Sequence, residues 1–300
     1  MPEVTSPEEA LPAACAAYPV RLDQGTTAAL AAALAAARGA GTRRVLLFPV
    51  GSVEPHGPHL PLATDTLLAT ETALRAAADL RAQGVFAAVA PALPYGVTDF
   101  AAGFAGALTV PAAALVALVV AVAEAGLRDG FEHIAIINHH LEPGQLAALE
   151  TARATLASGH GAGAVSLPSV VSRRWGKHLG AEFRSGACHA GRYETALVLA
   201  ATSEGSGPAA ARVDLACAAT LPALAVSLSA AIAAGTTTFK AAGMDRAYTG
   251  APAEATAAEG AQLYAAHTVM VVTEVLEALA TLNPTEQIPP MTAPTGASHD

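Results

Sequence analysis

The chain has 300 residues, of which 53% are hydrophobic and only 14% charged, well outside the low-hydrophobicity, high-charge range of disordered chains. Its 16 basic and 25 acidic residues leave a net charge of −9, which argues against a nucleic-acid surface or an anionic membrane as partner. Three cysteines, Cys15, Cys188 and Cys217, form an odd and sparse set that implies no disulfide framework and fits a reducing, cytoplasmic location. The first residues bring acidic side chains and prolines before any apolar run, unlike a secretory signal.

Residues 26–37 read as a first helix, and 44–50 (RVLLFPV) as the first strand, closed by Gly51-Ser52. A helix over 66–83 leads to a second strand at 85–93, closed by Pro94-Tyr95-Gly96. The most apolar stretch, 107–123, contains Pro111 and stops at Glu124, short of the ~20 residues of a spanning helix. It reads as part of a buried helix over 111–127 with Pro111 in its first turn, where a missing N–H costs nothing. A third strand at 133–137 ends in Asn138-His139-His140, a helix follows over 142–157, and a fourth strand occupies 164–171. Beyond Val171 the strand signal weakens, while 193–203 and 254–281 read as helices and the Pro/Thr/Gly-rich residues 283–300 as a flexible tail.

Short apolar strands alternating with helices predict an α/β fold, a three-layer α/β/α sandwich with a mostly parallel central sheet, as one domain over 1–282. Such sheets bind ligands beyond the carboxyl ends of their strands. The titratable residues of this weakly charged chain gather there. Glu54, His56, His59 and Asp65 follow the first strand, Tyr95 and Asp99 the second, and His139, His140 and Glu142 the third.

Three segments carry candidate chemistry. In the first, from Gly51 to Asp65, Glu54 and His56 stand two apart, so an extended chain projects them to one side. Pro55, Pro58 and Pro61 stiffen the loop, and Asp65 comes just before an apparent helix start, where a carboxylate is favoured. Each residue alone could be an ordinary loop or cap residue. Together, two imidazoles and two carboxylates within twelve residues form a zinc or manganese ligand set. The second segment, Asn138 to Pro143, again spaces His140 and Glu142 two apart; Glu142 could instead belong to a helical first turn. The third, Cys188 to Thr195, places His189 before Gly191 with Glu194 near a helix start, a natural proton shuttle held by a carboxylate.

In this order and spacing the segments resemble the creatininase (creatinine amidohydrolase) family. The pattern G-S-x-E-x-H-G-x-H-L-P-x-x-x-D is nearly complete at Gly51 to Asp65, with weaker matches at Tyr95-Gly96-Val97, at Phe104 to Thr109 and at Gly250 to Gly260. The resemblance implies a metal-dependent hydrolase of non-peptide, often cyclic, amide C–N bonds, holding two divalent cations (Zn or Mn) and assembling as a homo-oligomer, typically a hexamer. Carried over by position, Glu54, Asp65 and His140 would hold one cation, and His56, Asp65 and Glu142 the other. Asp65 would bridge, Glu142 and His189 would be catalytic, and a bridging hydroxide would attack the amide of a small-molecule substrate. Tyr95, Asp99, His139, Leu141, Arg192 and Glu194 are the expected pocket-wall residues, with His139 either a substrate contact or a structural histidine.

The departures from the pattern are Asn138-His139-His140 in place of N-G-H, Leu141 in place of an aromatic residue, Pro143 in place of Asn and Ala107 in place of Thr. They fall on pocket walls more than on metal ligands, an expectation of retained catalysis on a substrate other than creatinine. The form His189-Ala190-Gly191-Arg192 followed by Glu194-Thr195 also resembles the branch that clips the mycofactocin precursor peptide. Two alternatives therefore stand beside the small-molecule amidohydrolase: a peptide-processing hydrolase of the same fold, and a catalytically idle metal-binding scaffold.

Overall fold

Strand β1 (Arg44–Val50) is buried along six of its seven residues. Its side chains alternate between two faces. Val45 and Leu47 enter one apolar cluster, while Leu46, Phe48 and Val50 enter another. A strand apolar on both faces belongs in the middle of a covered sheet. In the computed structural model, which describes residues 10–202 and 212–282, β1 lies between β2 (Phe86–Val89) and β3 (His133–Asn138), and β3 pairs with β4 (Val165–Ser166). All pairings are parallel, in the order β2-β1-β3-β4. The expected flexible tail over 283–300, the last residue of the helix expected at 193–203, and residues 1–9 lie outside the described residues.

Helices cover both faces. Against one lie α1 (Ala13–Ala17), α2 (Thr27–Gly39), α4 (Ala112–Asp129) and α5 (Pro143–His160), which bury Cys15, Leu34, Val119 and Leu149 among others. Against the other lie α3 (Thr64–Ala82), α7 (Arg192–Ala200) and α10 (Ala257–Thr281), with Leu68, Leu197 and Val271 inside. Three layers result, as the strand–helix alternation predicts. Small side chains let the helices approach closely: a Cβ on Gly260 of α10 would lie 1.9 Å from the Ala196 carbonyl of α7. The 25-residue α10 is long and apolar enough to cross a membrane by length and composition, yet half of its most apolar window is buried inside the protein.

The differences from expectation have local causes. The second and fourth strands are shorter than 85–93 and 164–171 because Pro91 and Pro168 bring no N–H to a ladder. Helix α3 starts at Thr64, which puts Asp65 inside its first turn rather than before it. Helix α10 starts at Ala257, where the Thr256 hydroxyl accepts the Glu259 N–H, and a separate turn, Pro252–Glu254, precedes it. Four short helices, α1, α6 (Ala181–Arg184), α8 (Leu215–Thr220) and α9 (Leu228–Ala233), were not legible, being too short to display a period.

At the foot of β3, His133 is fully buried, with Nδ1 at 2.7 Å from the Gly163 carbonyl and Nε2 at 2.8 Å from the Ser166 hydroxyl. Burial pushes its pKa down to about 4. The folded state therefore keeps His133 neutral where the unfolded chain, with an ordinary pKa near 6.5, takes up a proton. This contribution to stability is complete above about pH 6.5 and falls as pH is lowered toward about 4. Denaturant titrations across that range are expected to show falling stability, with a shallower slope, by about one proton's share, in His133→Gln.

Candidate metal centre

The loop after β1 is built to hold side chains still. The Glu54 N–H donates to the Leu62 carbonyl at 3.0 Å, Val53 accepts the Leu108 N–H at 3.0 Å, and Gly57 turns at φ +61. His59 anchors the loop to α7, its Nε2 lying 2.9 Å from the Thr195 hydroxyl. Glu54 and His56 do face one side, as their spacing predicts, with His56 Nε2 at 3.8 Å from Glu54 Oε1.

Asp65 occupies the centre. Its Oδ1 lies 3.2 Å from His56 Nε2 and its Oδ2 lies 3.2 Å from His140 Nδ1. Two groups of converging ligand atoms share this carboxylate: Glu54, Asp65 and His140, and His56, Asp65 and Glu194. A third group joins Glu54, His56 and His189. All six residues are buried. The first trio is the one expected from the sequence. The second is not: the place given above to Glu142 is taken by Glu194, whose Oε2 lies 3.6 Å from His56 Nε2.

Glu142 stands apart for a geometric reason. It sits at the cap position of α5 without capping it, and its carboxylate accepts the N–H groups of Asp99 at 3.0 Å and Phe100 at 3.2 Å. That leaves it 3.9 Å from the far nitrogen of His140. Burial pushes its pKa up to about 7, against the opposing pull of His140 and of those N–H groups.

The imidazoles are oriented by backbone carbonyls, which accept hydrogen bonds and never donate. His56 Nδ1 faces the Glu54 carbonyl at 3.1 Å, His140 Nε2 the Val97 carbonyl at 2.7 Å, and His189 Nε2 the Pro55 carbonyl at 2.9 Å. Each of these nitrogens is therefore the N–H, and the other ring nitrogen turns toward the carboxylates. This is the arrangement that metal-bound histidines adopt. The carboxylates are held in turn: Ser52 donates to Asp65 Oδ2 at 2.7 Å and the Thr98 hydroxyl donates to Glu54. Glu194 accepts the Ala190 N–H at 2.6 Å, from a residue strained into φ +51.

Charge tests whether cations fit. Glu54, Asp65 and Glu194 are buried together, and among the described residues no Lys or Arg is paired with them. His56 Nε2 has no hydrogen-bond partner. Burial opposes a protonated His56, yet Asp65, Glu194 and Glu54 outweigh it and push its pKa up to about 10. A site that draws a proton this strongly calls for positive charge, and mixed imidazole and carboxylate donors suit Zn or Mn. The residues fit the expected group.

The remaining candidates divide. Tyr95 and Asp99 are exposed on the loop after β2. His139 is buried away from the cluster, with Nε2 at 3.0 Å from the Thr72 hydroxyl and its ring against His267, which in turn contacts the Tyr193 hydroxyl. Leu141 packs against the core cluster beneath α3, α7 and α10. Arg192 commits its guanidinium to Glu259 at 2.6 Å and Glu254 at 3.2 Å. Burial pushes the Cys188 thiol up to about 12, away from the thiolate form. Ser52, Thr98 and the backbone carbonyls escaped sequence reasoning, since nothing in their local pattern marks them as supports.

Comparison with known proteins bears on the family and the fold. A family model described as creatinine amidohydrolase matches residues 29–275. The mycofactocin precursor peptide peptidase of Mycobacterium tuberculosis is 31% identical over 231 residues, 74% of this chain and 80% of that protein. A crystal structure of creatinine amidohydrolase (creatininase) superposes with a TM-score of 0.62 at 22% identity, covering 86% of this chain and 97% of the other. A manganese form of creatininase superposes at 0.61 and 22%, covering 86% and 98%. The α/β fold is thus that of the creatininase-type amidohydrolases. The chain belongs to the creatininase family.

Equilibrium dialysis against zinc followed by metal analysis is expected to show impaired zinc uptake in Asp65→Ala. The same measurement on Ser52→Ala or Thr98→Val is expected to show affinity weakened about 10- to 100-fold, since these hydroxyls orient ligands without binding metal. Retention of a full metal complement by Asp65→Ala would overturn the shared-carboxylate assignment.

Proposed function

We propose that the chain is a two-cation amidohydrolase that cleaves the amide C–N bond of a small, non-peptide substrate. Glu54, Asp65 and His140 hold one ion, and His56, Asp65 and Glu194 hold the other. The observation that carries this reading is Asp65, whose two oxygens face two separate ligand sets. Bound zinc or manganese supplies Lewis acidity and a water acidified into the neutral range.

The protein's own groups handle protons. His189 rests neutral, because burial and the neighbouring His56 push its pKa down to about 4 against the pull of Glu54 and Asp65. It cannot begin as the acid. Its Nδ1 first accepts a proton and then passes it to the departing nitrogen, which leaves poorly as an anion. Glu142, fixed by two backbone N–H groups and poised near neutrality, is the second proton carrier. Tyr95 and Asp99, exposed beyond β2, form the outer wall that meets substrate. The three cysteines are free thiols, which supports a cytoplasmic location, and a homo-oligomer, up to a hexamer, is the assembly we propose.

A second reading is favoured by the 31% identity to a mycofactocin precursor peptide peptidase: the same centre clips a short precursor peptide. A turnover screen separates the two, with lactams, imides, formamides and hydrazides in one panel and carboxyl-terminal peptide substrates in the other. Hydrolysis confined to the first panel supports the small-molecule reading, and hydrolysis confined to the second replaces it. A fully metallated protein inert on both panels supports the idle-scaffold alternative instead.

Glu142→Gln and His189→Asn are each expected to keep two ions per chain while kcat drops by about 10²- to 10⁴-fold. Chelation is expected to abolish turnover, with recovery on adding zinc or manganese. Full activity in the chelated protein would remove the cations from the mechanism.

A further inference from the structure

We infer that Phe239 is a positioning residue that holds the His189 imidazole in its proton-transferring orientation; this deepens the reading of His189 given above and rests on it. Two other rings lie against that of His189. His56 covers one side at a centroid separation of 4.5 Å and 38°, and Phe239 stacks at 4.3 Å and 26°. Apart from these, the His189 ring makes one hydrogen bond, from Nε2 to the Pro55 carbonyl, and an approach of 3.7 Å from Nδ1 to Glu54 Oε1. One hydrogen bond does not fix a ring against rotation about its Cα–Cβ and Cβ–Cγ bonds. A flat aromatic face pressed on it does, because turning the imidazole would drive its edge into the stacked ring.

Phe239 is itself rigidly placed. It is 3% exposed and sits in a small apolar cluster with Phe100, Leu228, Met244 and Ala247. Its N–H donates to the Phe100 carbonyl at 2.9 Å, and its carbonyl accepts the Met244 N–H at 2.9 Å. The Phe100 N–H, at the other end of the same residue, donates to Glu142. Two segments joined by the Phe239–Phe100 backbone hydrogen bond thus contact both proton carriers: Glu142 through the backbone of Phe100, and His189 through the ring of Phe239. Phe104, by contrast, touches this cluster at a centroid distance of 6.5 Å from Phe239 and has no ring contact with His189.

The test uses zinc-equilibrated protein labelled with ¹⁵N-histidine, the His189 Nε2–H resonance being assigned by its loss in His189→Gln. Phe239→Leu keeps apolar volume but removes the flat face, Phe239→Tyr restores the ring, and Phe104→Leu thins the same cluster at a distance. Water exchange of Nε2–H is expected to accelerate at least about tenfold in Phe239→Leu and to stay slow in Phe239→Tyr and Phe104→Leu. On any amide that turns over, Phe239→Leu is expected to lower kcat by about 10- to 100-fold with KM within about twofold. Unchanged exchange in Phe239→Leu, or equal acceleration in Phe104→Leu, overturns the inference in favour of simple core packing. Should Phe239→Leu fail to fold, Phe239→Met is read in its place by the same criteria. Exchange is measured without substrate, so failure of the turnover screen bears on the proposed reaction and leaves this result standing.

Discussion

Three buried carboxylates share one small volume, and the molecule around them is arranged to make that tolerable. Glu54, Asp65 and Glu194 repel one another in a medium that screens poorly, so their ionised forms persist only beside positive charge. The imidazoles alone could supply it by taking protons, as the raised pKa of His56 records. Backbone carbonyls, however, fix one N–H on each ring and aim the other nitrogen's lone pair inward, which serves a cation better than a proton. Asp65 is the pivot because it offers one oxygen to each half of the site.

The sheet makes this convergence possible. Parallel strands deliver all their carboxyl ends to one edge, so β1 and β3, paired in register from Val45–His133 to Val50–Asn138, open their loops side by side. The β1 loop contributes Glu54 and His56, and the β3 turn, shaped by Asn138, contributes His140. Asp65 arrives from the start of α3 and Glu194 from the first turn of α7. Both helices pack on the same face of the sheet, which brings residues distant along the chain to opposite sides of one carboxylate.

In the proposed mechanism, proton handling separates from metal holding within the same architecture. Glu142 is diverted from the ligand set because two N–H groups from the β2 loop satisfy its oxygens. His189 is kept neutral by burial and by the adjacent His56, which in the proposed mechanism suits it to relaying a proton rather than storing one. His139, one residue from a ligand, does neither: it faces Thr72 and His267 and closes a buried polar contact behind the site.

Several elements were readable residue by residue. The run RVLLFPV could only be a strand covered on both faces, and the i, i+2 pairing of Glu54 with His56 announced a shared side because extended-chain geometry is local. Shorter pieces such as α6, α8 and α9 had no such signal, and strand ends were blurred where proline cut the ladder. The sequence by itself determined the layer order, the edge at which the site lies and most of its titratable residues, since periodicity and spacing depend on neighbours in the chain. Only the tertiary structure decided that Glu194 rather than Glu142 converges with His56 and Asp65, that Ser52 and Thr98 hold the carboxylates, and that the Phe239 ring lies against His189. These choices turn on where separate elements meet in space, and the meeting of α7, the β1 loop and residues beyond 220 depends on long-range packing that no local pattern records.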